Sequence, residues 1–329
     1  MQYIHNTIPQ SRFLVTGGAG FIGSNLVEHL LELGALKVRV LDNLSNGYYS
    51  NIKEFIGLPN FEFIEGDIRE LETCKRAVEG MDYISHQAAL GSVPRSVEDP
   101  VTSNDVNIGG HLNMLVAAKE SSTLKRMVYA ASSSSFGDSK ELPKVEGNEG
   151  KPLSPYAVTK LVNELYADVF SRVYGLHTVG LRYFNIFGPK QNPNNPYAAV
   201  IPLFMKSAIE GTVPKIYGDG TNSRDFTFVQ NALQANLKAM LYTEDLAEHE
   251  VVNIAVGIRT NLVELWEVIA AAAGTAIKPE FGSPRAGDIP HSLASIEKAQ
   301  ALFDYNPQFR LKEGIEITFD WFKKTYNAQ

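Results

Sequence analysis

Short apolar runs alternate with stretches of helical period as far as Phe187. The runs Arg12–Thr16, Lys37–Leu41, Phe61–Glu65, Tyr83–His86, Arg126–Ala130 and Thr178–Arg182 read as strands, as does Val251–Ile254 further on. After the first run, Ile22, Leu26, Leu30 and Leu33 recur on one helical face, and further helical stretches fall near Thr73–Glu79, Val106–Glu120 and Ala157–Tyr174. This alternation predicts right-handed βαβ units and an α/β fold: a Rossmann-type, doubly wound parallel sheet. Ligands of such sheets bind at the carboxyl ends of the strands. Polar residues collect there: Asp42, Asp67, Gln87 to Ala89, the serines after RMVYAA, and Tyr183 to Asn185. Beyond Phe187 the texture changes to Gly-, Pro- and Asn-rich segments (GPKQNPNNPY, YGDGTNSRDF, FGSPRAGDIPH), which carry contacts rather than build a sheet. The expected organisation is a nucleotide-binding domain over 1–187, rejoined by the strand near 251–254, and a smaller α/β substrate lobe made mainly of 188–329.

The turn after the first strand is TGGAGFIG, Thr16 to Gly23. Gly18, Gly20 and Gly23 fit one dinucleotide-binding spacing, and Gly17, Gly20 and Gly23 fit a wider one. Either brings the backbone close to a pyrophosphate at a helix N-terminus, where unpaired N–H groups and the dipole favour anions. The second strand ends in Asp42, 19 residues past Gly23. A carboxylate there accepts from both adenosine ribose hydroxyls and repels a 2′-phosphate, which favours NAD over NADP. The glycines alone would equally suit a tight turn capping a core helix.

Composition narrows the class. The 329 residues are 44% hydrophobic and 20% charged, ordinary for a globular enzyme. Net charge is −7, with no basic run and no aromatic-basic interleaving, which argues against a nucleic-acid partner. No stretch approaches the roughly 18 apolar residues of a membrane span. The segment MQYIHNTIPQ lacks a charged n-region and an apolar h-region and reads as a short extension, not a signal peptide. Cys74 is the single cysteine, so disulfides and cysteine-metal sites are not expected and a cytoplasmic location fits. The seven histidines show no ligand spacing, no metal is expected, and His86 reads as a packed or hydrogen-bonded residue.

Together TGGAGFIG, ASSSSFG (Ala131 to Gly137), the YxxxK of SPYAVTK (Tyr156, Lys160) and LRYFNIFG resemble the extended short-chain dehydrogenase/reductase family along nearly the whole chain. More narrowly, QAALGSVPRS, LPKVEG, LSPYAVTKLVNELYADVFSR, YAAVIP and GDGTNSRDF are similar to bacterial UDP-N-acetylhexosamine 4-epimerases of polysaccharide biosynthesis. The chemistry can be argued beside that resemblance. Tyrosine, with an ordinary pKa of about 10, is a poor base at neutral pH, so its phenolate must be stabilised. Lys160, four residues on and on the same helical face, is expected to lower it, together with the positive nicotinamide ring. Tyr156 would then take the proton from a sugar 4-hydroxyl as the C4 hydride leaves for NAD. By itself a YxxxK is most often an exposed helical pair.

The resemblance implies the remaining roles. Counting back from Phe136-Gly137 puts the catalytic hydroxyl on Ser132, with Ser133 and Ser134 next to it; a one-residue slip would move the role along. Ser134 is expected to touch the sugar. Related 4,6-dehydratases carry an acidic pair directly after that hydroxyl, where this chain has Ser133 and Ser134, so oxidation, rotation of the 4-keto sugar and hydride return are expected instead. Cofactor contacts fall on Gly17, Gly20, Phe21, Ile22, Gly23, Asp42, Asn43, Asp67, Ile68, Gln87, Ala88, Ala89, Asn107, Tyr156, Lys160 and Tyr183. Gly91, Ser92 and Arg95 match the sugar-side loop, and Asn185 would reach the sugar or phosphate. Tyr197, Ala199, Val200 and Ile201 would flank the uracil, with Tyr217 nearby. Arg224, Arg285 and Asp288 would hold the diphosphate and uridine ribose, arginine's planar fork suiting a diphosphate. Ser292 stands where glucose-restricted epimerases carry a tyrosine, leaving room for a 2-acetamido group. Phe136 and Ser295 depart from the usual Tyr and Asp.

The activity implied is UDP-GlcNAc/UDP-GalNAc 4-epimerisation with tightly kept NAD, in a homodimer formed through the Val106–Glu120 and Ala157–Tyr174 helices. UDP-GlcNAc-uronate or UDP-glucose are alternative substrates. A nucleotide-sensing regulator on the same fold should lack the Tyr or the Lys, and both are present.

Overall fold

The computed structural model describes residues 6–192, 199–242, 249–284 and 290–326. Seven strands form one sheet: β1 (Arg12–Thr16), β2 (Lys37–Asp42), β3 (Phe61–Glu65), β4 (Tyr83–His86), β5 (Arg126–Ser132), β6 (Thr178–Tyr183) and β7 (Glu250–Ile254). Their order is β3-β2-β1-β4-β5-β6-β7, parallel throughout. The winding direction reverses between β1 and β4, which leaves a crevice at their carboxyl ends. Helices cover both faces, which explains the near-continuous apolar runs of the strands. Phe13 and Val15 of β1 join one core with Leu26 and Leu30 of α1 (Phe21–Glu32), whereas Leu14 between them faces the other core. That second core draws Cys74 and Ala77 from α2 (Leu71–Val78), Met114 and Leu115 from α3 (Gly110–Glu120), and Ala167 and Phe170 from α4 (Pro155–Tyr174).

A fifth helix on the sheet, α5 (Val229–Leu241), is absent from the sequence reading. Its apolar stripe is interrupted by Asn231, Asn236 and Lys238, yet all three are buried. Each finds its partner inside the protein: Asn231 the backbone of Gln308 and Phe309, Asn236 a cluster beside β4, and Lys238 the carboxylate of Asp304. The segment after β6 thus returns a helix as well as a strand to the sheet. Around it stand the helices Val200–Glu210, Leu262–Ala273 and Leu311–Tyr326. Two-stranded ladders pair Lys215–Tyr217 with Glu280–Gly282 and Ser223–Arg224 with Thr260–Asn261. No helix among the described residues is long and apolar enough to cross a membrane.

Local sequence explains α4. The Ser154 hydroxyl accepts from the Ala157 N–H at 3.1 Å, Pro155 occupies the first turn, and Gly175 closes the helix in the left-handed region with φ 68°. Strand β5 extends two residues beyond the predicted Ala130, which puts Ser132 in register with Tyr183 of β6.

His86 and His249 are enclosed by the fold. Thr16 Oγ1 lies 2.6 Å from His86 Nδ1, and His249 sits between the Tyr129 hydroxyl at 3.1 Å and Thr178 Oγ1 at 2.8 Å. Burial pushes His86 down to about 3 and His249 to about 4. Unfolded histidine binds its proton near 6.5, so as pH falls below that value the unfolded chain takes up protons that the folded chain does not. These groups therefore contribute stability that is present above about pH 6.5 and lost on the way down to pH 4, at up to about 1.4 kcal/mol per pH unit per histidine. Urea midpoints should fall steadily from pH 7 to pH 4.5, less steeply in His249→Gln; equal slopes in the two proteins would refute this assignment for His249.

Candidate active site

A cavity of about 660 Å³ opens at the carboxyl ends of β1 and β4. Gly17, Gly20 and Gly23 line it, with Phe21 and Ile22 from the first turn of α1. Gly17 has φ +67°, and a Cβ there would stand 2.7 Å from the Ala88 nitrogen; at Gly23 it would stand 2.1 Å from the Gly17 carbonyl oxygen. Only glycine permits this crossing of turn, helix and β4. Gly18 instead faces Val40, so it is the wider glycine spacing that meets the cavity.

The N-terminus of α1 has no side-chain cap. Asp42 ends β2 on the cavity wall, its two oxygens accepting from Ala19 N at 2.9 Å and Leu44 N at 2.8 Å. Burial raises its pKa, and those two bonds oppose the rise. Asn43 donates to Asp67 at 2.9 Å, and the Arg69 guanidinium holds the Asp67 carboxyl down at about 2. Asp67, Ile68, Gln87, Ala88 and Ala89 complete this side of the wall. A backbone open to close approach, an uncapped helix N-terminus and a carboxylate at the second strand fit a dinucleotide.

Deeper along the same wall lie Ser132, Ser133, Tyr156 and Lys160. The Ser132 hydroxyl faces the Tyr156 phenol and favours its ionised form. It accepts from Ser134, from the backbone nitrogen at 3.1 Å and from Oγ at 2.8 Å. Lys160, 3% exposed, donates to the Ala130 carbonyl at 2.7 Å and lies 5.9 Å from the Tyr156 ring centre. Burial pushes its ammonium down to about 8, against the charge of Glu164. Burial also pushes the Tyr156 phenol up, and the Ser132 hydroxyl opposes that. The Lys160 Nζ is turned to the Ala130 carbonyl, and burial is the larger influence on the phenol.

Three other residues stand apart from their expected places. The carboxamide of Asn107, in a π-helical turn, binds Leu90 N at 2.8 Å, Leu90 O at 3.1 Å and Thr159 Oγ1 at 3.1 Å, so it braces the wall from behind and does not line it. Ser134 is turned onto Ser132 and is likewise not on the wall. Ser292 donates its backbone N–H to Ser223 O at 3.0 Å and lines neither chamber. Arg285, Asp288 and Tyr197 lie outside the described residues.

Gly91, Ser92 and Arg95 do line the first chamber; Ser92 caps the short helix Val93–Glu98 and Arg95 donates to Asn46 at 3.0 Å. Tyr183 is held there by Asn236, which donates to its hydroxyl at 2.7 Å, while the hydroxyl donates to Gln87 at 3.2 Å. A second chamber of about 610 Å³ shares Asn185, Ile186, Gln191 and Ala199 with the first. Val200, Ile201, Tyr217 and Arg224 line it. Asn185 sits at φ 41°, and its amide donates to Asp225 O at 3.1 Å.

The sequence reading missed the loop after β2. Asn46, Gly47, Tyr48 and Asn51 line the first chamber, and the Tyr48 N–H and Asn51 amide both donate to Ala19 O at 3.0 and 2.9 Å. The signal was the polar, glycine-bearing LSNGYYSN directly beyond Asp42.

The chain matches the model of the NAD dependent epimerase/dehydratase family over residues 13–255. A putative UDP-glucose 4-epimerase of Methanocaldococcus jannaschii is 36% identical over 312 residues, 94% of this chain and 98% of that protein. Among solved structures, a UDP-N-acetylglucosamine 4-epimerase from Methanobrevibacter ruminantium, in complex with UDP-N-acetylmuramic acid, superposes with a TM-score of 0.90 at 36% identity, covering 96% of this chain and 99% of that one. A UDP-glucuronic acid 4-epimerase from Bacillus cereus, bound to UDP-glucuronic acid and NAD, gives 0.87 at 30% identity, covering 96% and 100%. The chain therefore belongs to the NAD-dependent epimerase/dehydratase family of extended short-chain dehydrogenases/reductases.

Proposed function

We propose that this protein is a UDP-sugar 4-epimerase acting on UDP-GlcNAc and UDP-GalNAc. The observation that carries the reading is that Ser132, Tyr156 and Lys160 share one wall of a dinucleotide cradle that joins a second chamber. NAD, when bound, would supply hydride acceptance and return. The residues of the chain move the proton and hold the sugar. Tyr156 takes the 4-hydroxyl proton and Ser132 bridges the sugar oxygen to the phenol. Lys160 would hold the nicotinamide ribose, with its ammonium 5.9 Å from the centre of the Tyr156 ring. Arg224 and Asn185 face the second chamber, where a diphosphate and the sugar would be gripped. Ser133 and Ser134 provide no acid-base pair next to Ser132, which disfavours elimination of water and leaves a 4-keto sugar free to turn and take the hydride back on its other face.

The acetamido preference is supported by the likeness to the UDP-N-acetylglucosamine 4-epimerase of Methanobrevibacter ruminantium. UDP-glucose or UDP-GlcNAc-uronate is the second reading, supported by the likeness to a putative UDP-glucose 4-epimerase and to a UDP-glucuronic acid 4-epimerase. We place the enzyme in the cytoplasm, where the buried thiol of Cys74 stays reduced.

A homodimer is supported by an exposed apolar stripe on the outer face of α4, where Leu165 is 58% and Val173 63% exposed, with Val158 and Val169 alongside. Val97 and Val101 extend the stripe from the neighbouring helices, whereas α3 contributes no large exposed apolar side chain.

Purified protein given no added NAD should convert UDP-GlcNAc to its 4-epimer faster than UDP-glucose or UDP-GlcNAc-uronate, followed by NMR. A preference for either of the others would keep the mechanism and overturn the substrate, and failure on all three with NAD added would remove the epimerase reading. Tyr156→Phe should cut kcat roughly a hundred- to ten-thousand-fold while NAD stays bound; activity within about threefold of wild type would take the proton role away from Tyr156. Light scattering should show a dimer that Leu165→Asp with Val169→Asp converts to a folded monomer, and a monomeric parent protein would dismiss the α4 interface.

A further inference from the structure

Helix α4 carries a third inward-facing ionisable residue one turn beyond Lys160. Tyr156, Lys160 and Glu164 are spaced by four, so they line one face of the helix. Glu164 is 6% exposed and does not reach the cavity wall. Its carboxylate takes both arms of the Arg182 fork from β6, Nε at 2.9 Å and Nη2 at 2.7 Å. It also accepts from Ser135 Oγ at 3.4 Å, while the Arg182 guanidinium lies 4.9 Å from the centre of the Phe136 ring. Ser135 and Phe136 belong to the turn that directly follows Ser132. On its other side Arg182 pairs with Glu149. One carboxylate thus joins the helix of Tyr156 and Lys160, the strand of Arg182 and the turn that sets Ser132.

We propose that Glu164 is a positioning residue for the hydride-transfer step: with Arg182 and Ser135 it fixes Ser132 against Tyr156, and its charge keeps the Lys160 ammonium in place. This deepens, and rests on, the epimerase reading above.

The groups facing Lys160 make Glu164 the anion that matters. Tyr156 and Glu164 face it from its own helix, His86 from β4 and His111 from α3, with the Ala130 carbonyl on β5; Arg182 of β6 lies beyond Glu164. Burial holds His86 and His111 neutral, so neither offsets the charge. Glu164 opposes the burial that pushes the ammonium down to about 8. The ammonium is lost as pH rises through its folded pKa. Removing the Glu164 charge moves that loss to lower pH.

The test compares Glu164→Gln, Glu164→Asp and Glu149→Gln in the full-length, NAD-bearing protein, with kcat and KM measured against pH on whichever UDP-sugar the parent protein turns over. Glu164→Gln should lower kcat about tenfold or more with KM within about threefold, and should move the alkaline limb of the kcat profile acid-ward by about half a unit or more. Glu164→Asp keeps the charge, so kcat should fall with the limb in its original place. Glu149→Gln removes the other carboxylate on Arg182, away from Lys160, and should leave the limb unmoved. An unmoved limb in Glu164→Gln, an equal displacement in Glu149→Gln, or a displaced limb in Glu164→Asp would each overturn the proposal. If Glu164→Gln fails to fold, the Asp variant decides alone: lowered kcat with the limb in place supports it, and a displaced limb or an unchanged kcat defeats it. A parent protein that turns over no UDP-sugar sinks the epimerase reading itself, whereas an active parent with failed limb predictions sinks this inference only.

Discussion

The site is organised around a buried ammonium. Lys160 is enclosed between α4 and β5, and an isolated charge in such a place is costly unless it is hydrogen-bonded and paired. The Ala130 carbonyl supplies the hydrogen bond, and the next turn of the helix supplies the opposite charge. Meeting those needs fixes the rotation of α4 about its axis and its distance from β5. Once the helix is fixed, Tyr156 has one place to go, against Ser132 at the end of the strand. The capping of α4 by Ser154 and Gly175 sets where the helix starts and stops, but the buried lysine sets which face looks inward.

The two chambers divide the labour in a way the sheet explains. The first lies over the reversal of strand order between β1 and β4, where the glycine turn leaves backbone accessible and Asp42 closes the far end. The second is built by chain that has left the sheet after β6, around Val200–Glu210 and Arg224. They meet at Asn185, Ile186, Gln191 and Ala199, directly beyond the strand that carries Tyr183. Asn236, reaching back from α5, binds the Tyr183 hydroxyl and so ties the returning helix to the wall of the first chamber. Rigid placement on strands and helices is what hydride transfer asks of a scaffold, since small errors in approach are expensive.

Much of this was legible in the chain. All seven sheet strands read as short apolar runs because a parallel sheet covered on both faces buries both sides of each strand. The glycine turn, Asp42 and the Tyr156–Lys160 pair were legible as particular residue types at fixed local spacing, whereas Ser132 was reached only through the resemblance to the family motif. Helix α5 was not, because Asn231, Asn236 and Lys238 break its apolar stripe and are satisfied only by residues far along the chain. Asn107 and Ser134 were assigned to ligand contacts from motif position, and their side chains are taken up by Leu90, Thr159 and Ser132 instead.

The sequence by itself determined the alternation of elements, the dinucleotide turn and the helical register that puts Tyr156, Lys160 and Glu164 on one face, since each depends only on period and local spacing. Tertiary structure alone decided which of two glycine spacings faces the cavity, because Gly18 is turned away by Val40 of the adjacent strand. It alone decided the direction in which Tyr156 is shifted, because desolvation depends on everything packed around the phenol and not on its neighbours in the chain. It alone brought Arg182, Glu149, Ser135 and Glu164 together, four residues from separate segments whose meeting is a property of the folded sheet and no feature of any one motif.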